Sequence, residues 1–92
     1  MICMNVENVR TTSKFEKQYK RLPAKIKTAA QEKEKIFRNN VFDSRLNTHK
    51  LHGKDKEAWA FYITPHSYRI KFIFLTAERI LFLEIGKHDI YK

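Results

Sequence analysis

At 92 residues, with 42% hydrophobic and 13% aromatic side chains, the chain can build one core and is too short for two. Seven Phe and four Tyr favour a folded chain over a disordered one, and two glycines and two prolines leave little room for long irregular loops. A formal net charge of +9 points to a polyanionic partner. The single cysteine, Cys3, excludes an internal disulfide framework and a cysteine-based zinc site. No apolar run approaches a membrane span, so one domain over residues 1–92 in a reducing cytoplasm is expected.

Asn5 to Arg10 reads as a short strand with Val6 and Val9 as its apolar members. Thr12 or Ser13 then offers an N-cap oxygen, and Phe15, Tyr19 and Leu22 recur at helical spacing. Pro23 interrupts the helix, because it lacks an N–H and restricts its predecessor. A second helix carries Ile26, Ala29, Ala30, Ile36 and Phe37 on one stripe and stops near Asn39-Asn40. Val41 to Leu46 reads as a loop with apolar anchors, and Asn47 to Glu57 as a polar, strongly basic loop. Ala58 to Ile63 alternates as a strand, with Trp59, Phe61 and Ile63 on one face, and Thr64-Pro65-His66-Ser67 is a turn. Strands over 68–75 and 79–85 complete a meander, and Gly86 is expected to end the last strand sharply. This order predicts an α+β fold: a short N-terminal strand, then a two-helix hairpin packed on one face of an antiparallel sheet with a C-terminal three-strand meander.

Alternation along 68–75 puts Tyr68, Ile70, Phe72 and Phe74 on the face that meets the helices. Arg69 and Lys71 then point at the opposite, open face. An arginine fork and a lysine there suit a phosphate clamp, although exposed strand cations are common. The segment His49-Lys50-Leu51-His52-Gly53-Lys54 sets two imidazoles and two ammonium groups close together, a pattern that a solvated loop also shows. His49 and His52 with His88 or Asp89 would be the only metal-like set. It lacks a fixed geometry, and neither a metal nor a cofactor is expected. After Lys87, His88 and Asp89 place an imidazole beside a carboxylate that can orient it, and Tyr91 adds a ring for stacking or a hydroxyl for hydrogen bonding.

Leu51-His52-Gly53, Trp59, Tyr68-Arg69-Ile70-Lys71-Phe72, Ile80 to Ile85 and Gly86-Lys87-His88-Asp89-Ile90-Tyr91 together resemble the RelE/ParE superfamily of bacterial toxins. Within it the chain is most similar to the histidine-using (YafQ/YoeB-like) messenger-RNA interferases. Thr12-Ser13-Lys14-Phe15-Glu16-Lys17 with Leu22-Pro23 is similar to that family's first helix, so the resemblance runs from about Val6 to Tyr91. It implies the toxin of a type II toxin–antitoxin system. Such a toxin is a ribosome-dependent endoribonuclease that cleaves mRNA and inhibits translation, held in check by a cognate antitoxin through which the complex binds operator DNA. The implied chemistry is metal-independent attack of a ribose 2′-OH on the adjacent phosphorus. His88 is then an acid or base, and His52 or His49 is its partner. Arg69 clamps phosphate, Asp89 orients an imidazole, Tyr91 positions substrate, and Lys50, Lys54, Lys71 and Lys87 bind RNA. The sequence departs from the pattern at Lys54 to Ala58, where many relatives have a glycine just before the tryptophan, which leaves His49 and His52 both open. A ParE-like DNA gyrase inhibitor that cuts nothing is the alternative, and a plain nucleic-acid-binding module ranks below both.

Overall fold

In the computed structural model, which describes residues 6–53, 57–64 and 67–87, β1 (Asn8–Thr11) leads into α1 (Ser13–Lys20) and α2 (Ala24–Asn39). A 3-10 turn (Ser44–Leu46) follows, then β2 (His49–Lys50), β3 (Trp59–Tyr62), β4 (Tyr68–Phe74) and β5 (Arg79–Lys87). Thr12 is the N-cap of α1: its hydroxyl accepts from the Phe15 N–H at 3.0 Å and donates to the Leu83 carbonyl at 2.8 Å, so one side chain caps the helix and ties it to β5. Pro23 separates the helices as expected, and its carbonyl accepts the first N–H groups of α2 from Ile26 and Lys27, each at 3.0 Å.

The five strands form one sheet in the order β1-β5-β4-β3-β2. The meander β3-β4-β5 is antiparallel, but β1 lies parallel to β5, which makes the sheet mixed rather than antiparallel throughout. The long connection between β1 and β5, through both helices and the three strands before β5, gives the crossover that a parallel pair needs. β1 also begins later than the Asn5 start expected. The Val6 N–H is taken by the Arg38 carbonyl at 2.9 Å, and the Glu7 N–H by Glu78 at 2.8 Å. The basic stretch read as loop contributes β2, whose His49 and Lys50 pair with Ala60 and Trp59.

One face of the sheet carries the core. Phe37 of α2 stacks on Phe61 at 4.5 Å between centroids and meets Phe72 and Phe82 edge-on at 5.0 and 5.5 Å. Phe15 of α1 adds a tilted contact to Phe82 at 5.4 Å, and Val41 and Leu46 close the end of the core beyond α2. The β4 alternation holds: Ile70 and Phe72 are buried in this core, with Tyr68 and Phe74 packed against it.

On β5 the simple alternation breaks. Phe82 faces Phe72 and Glu84 faces Lys71, so Leu83 is an extra residue, a β-bulge. Before the bulge Ile80 and Phe82 point to the core; after it Ile85 does, and Glu84 and Gly86 turn to the opposite face. Gly86 does not end the strand. It pairs with Arg69, and β5 runs on to Lys87.

Candidate active site

The face away from the helices gathers polar side chains from four strands. In one row the register sets His49, Ala60, Lys71 and Glu84 side by side; in the next it sets Tyr62, Arg69 and Gly86. Neither cation stands free in water there. Arg69 is 7% exposed and Lys71 8%, which corrects the picture of two side chains projecting from an open sheet. Side chains of the same face pack against both. The Arg69 guanidinium carbon lies 4.7 Å from the centroid of the Tyr62 ring, a cation–π contact. On its other flank Tyr62 stacks with His49 at 5.8 Å and 29°. Imidazole, phenol and guanidinium thus stand in one line across β2, β3 and β4.

The tautomer of His49 follows from its partner. Its Nδ1 lies 2.9 Å from the Asn47 carbonyl, which can only accept, so Nδ1 carries the hydrogen. In the neutral ring Nε2 is then the basic nitrogen. Asn47 holds that carbonyl in place through a left-handed backbone, with φ of 49°, where the 3-10 turn ends.

Lys71 is fixed from the other side. Its Nζ lies 2.8 Å from Glu84 Oε2, and Lys14 Nζ at the start of α1 lies 2.9 Å from Glu84 Oε1. Burial pushes the Glu84 carboxyl up, but the hydrogen bonds from Lys71 and Lys14 and their charges outweigh it and hold it below the ordinary carboxylate range. Glu84 is therefore an ionised bridge between the sheet face and α1.

The structure brings His49, Arg69 and Lys71 together and leaves other expected residues apart. His52 is exposed beyond β2 and makes no hydrogen bond among the described residues. Lys50 lies on the opposite side of β2, with its ammonium 6.0 Å from the centroid of the Trp59 ring. Lys87 is exposed at the end of β5, paired with Tyr68 on the helix-side face. Lys54, His88, Asp89 and Tyr91 lie outside the described residues. Among the described residues no three His, Cys, Asp or Glu side chains are grouped to hold a metal ion, and no helix is long and apolar enough to cross a membrane.

Sequence reasoning missed Tyr62 and Glu84. Tyr62 was legible, because it alternates with Phe61 and so must share a face with Ala60, opposite the core. Glu84 was hidden by the bulge, although Phe82 and Ile85, both apolar and three apart, hinted that the alternation changes phase.

The architecture is that of the RelE-like toxins, two helices on a five-stranded mixed sheet. YafQ from E. coli BL21(DE3) superposes with a TM-score of 0.74 at 16% identity, over 90% of this chain and 94% of that one. The RelBE2 toxin–antitoxin complex of Mycobacterium tuberculosis matches at 0.74 and 16%, over 92% and 94% of the two chains. The YoeB/ParE toxin from Agrobacterium tumefaciens matches at 0.73 and 15%, over 88% and 98%. No protein-family model matches the chain, and no curated protein matches it by sequence.

Proposed function

We propose that the protein is the toxin of a type II toxin–antitoxin pair and acts as a ribosome-dependent, metal-independent endoribonuclease on mRNA in the cytoplasm. The observation that carries this reading is the line His49–Tyr62–Arg69, which sets a base of defined tautomer one ring away from a guanidinium. His49 Nε2 removes the proton from a ribose 2′-OH, and that oxygen attacks the neighbouring phosphorus. The charge that gathers on the phosphorane oxygens meets Arg69. His88, one residue beyond β5, protonates the departing 5′ oxygen, which leaves a 2′,3′-cyclic phosphate and a 5′-hydroxyl.

Asp89 orients the His88 ring, and Tyr91 positions the substrate. Lys71 adds a fixed charge beside Arg69, and Lys54 adds a cation to the loop after β2, whereas Lys50 and Lys87, on the helix-side face, contribute to the general basic charge that attracts RNA. His52 is exposed and lacks the tautomer-setting contact of His49, which favours His49 as the base. An acidic cognate antitoxin, through which the pair binds operator DNA, suits the charge of +9.

Primer extension on a defined mRNA, using EDTA-treated protein with and without magnesium-bearing ribosomes, tests the reading. Cuts only with ribosomes, lost in folded His49→Ala and His88→Ala variants, are the expected result. No cuts under any condition, together with inhibition of gyrase supercoiling, would replace it with the gyrase-inhibitor reading.

A further inference from the structure

Beside the candidate site, α1 is unevenly charged about its axis. At ~100° per residue, Phe15, Tyr19 and Leu22 face the core, and Gln18 faces the edge of β5, where its Oε1 accepts the Ile85 N–H at 2.9 Å. Lys14, Lys17 and Arg21 form one stripe that starts beside Gln18, where Lys14 reaches Glu84, and turns outward to Lys17; Lys20 lies on the solvent side between that stripe and Glu16. Glu16, the single acid of the helix, falls on the other flank, where it accepts from the Thr11 hydroxyl. Lys17 and Arg21 are exposed, and neither makes an ion pair among the described residues.

Three contacts fix this flank to the site. Thr12 bonds the Leu83 carbonyl, Lys14 pairs with Glu84 and Gln18 accepts from Ile85, so α1 runs alongside β5 in the same direction. From Lys14 to Arg21 the helix advances ~10 Å, and from Glu84 to Lys87 the strand advances ~10 Å. Arg21 therefore stands level with the end of β5. Between the flank and Arg69 lies Gly86, which pairs with Arg69 and adds no side chain of its own to that row.

We infer that the Lys14–Lys17–Arg21 flank of α1 is a second phosphate-backbone site, which grips the substrate RNA strand outside the reacting phosphate. This rests on the reading of the polar sheet face as an RNA-cleaving site. Single-stranded RNA that lies against Gly86 with one phosphate on Arg69 places its flanking phosphates along α1. Each contact is electrostatic and independent of sequence, so it adds affinity and salt dependence without choosing the cut.

Anisotropy titrations of the full chain with a short and a longer single-stranded RNA, across a range of salt, test the inference. Lys17→Gln/Arg21→Gln is compared with Lys25→Gln/Lys35→Gln, which removes the same charge from exposed positions of α2. On the longer RNA the first pair of changes is expected to flatten the salt slope by ~1.4, at ~0.7 per lost contact, and to weaken binding by about an order of magnitude near ~0.1 M salt. The short RNA and the α2 control should be unmoved.

Equal losses in both double variants would mean diffuse attraction and overturn the inference. So would a weakened complex with polyglutamate while RNA binding stays intact, which would assign the flank to an acidic protein. If a folded Arg69→Gln variant weakens both RNAs while the α1 changes are silent, only the inference falls. If Arg69→Gln is silent as well, the RNA-cleaving reading falls with it.

Discussion

Tyr62 does two jobs with one ring: it lies against the Arg69 guanidinium and supports the His49 imidazole. Tyr62→Phe keeps both contacts, and Tyr62→Ala removes both. Under the proposed mechanism the phenylalanine variant should cut within a few-fold of the parent, while the alanine variant should lose on the order of 10²-fold, as expected when an acid–base group is no longer positioned. Single-turnover cleavage on ribosomes reads the difference. Glu84 makes a prediction that stands apart from function. Its depressed carboxyl favours the folded state above the pKa it has in the unfolded chain, and this stabilisation is lost as pH falls through the lower, folded value. Glu84→Gln should destabilise by about 1–3 kcal/mol near neutrality, since Lys71 and Lys14 lose a charged partner. The gap from the parent should close on acidification. Urea midpoints measured across pH 3 to 7 (roughly the carboxylate range) check both statements.

α2 contributes Phe37, which is fully buried and touches rings from β3, β4 and β5. Phe37→Ala should cost about 3–5 kcal/mol, because three strands cannot collapse onto one gap; chemical denaturation measures it. The bulge on β5 governs the site more directly. Leu83 is its extra residue, so deleting Leu83 restores plain alternation in the same register: Glu84 stays opposite Lys71, Gly86 stays opposite Arg69, and Ile85 stays on the core side. The deletion variant is expected to unfold cooperatively at a lower urea midpoint, since the carbonyl that accepts from the Thr12 hydroxyl is lost, whereas Leu83→Ala keeps that carbonyl and the bulge.

These elements also show how far the pattern could be read. The helix boundaries and the helix-facing set of β4 were legible, since each rests on a period within a dozen neighbouring residues. The phase change at Leu83 was not, because it depends on which residues of β4 lie opposite. The two residues of β2 were also missed, since they are ordered by Ala60 and Trp59 rather than by their own propensity. Among the site residues, Arg69 was named from the sequence, His49 was named only as an alternative to His52, and Glu84 emerged only with the register.

Charge acts over the whole molecule. A net +9 spread over a single small domain repels itself, and a polyanion that binds only the folded state relieves this. Under the proposed toxin reading, an acidic antitoxin should therefore raise the thermal midpoint, and more so at low salt, where screening is weaker; thermal scans of the complex at two salt concentrations check this. By itself the sequence determined the apolar and polar periods, the proline break, the basic excess and the α+β order, because these are local or compositional. Only the tertiary structure decided that β1 runs parallel to β5, that Arg69 and Lys71 are sunk among Tyr62 and Glu84, and that His49 has a set tautomer. Each of those depends on what stands across from a residue in space, and alternation along one strand carries no record of its neighbour's register.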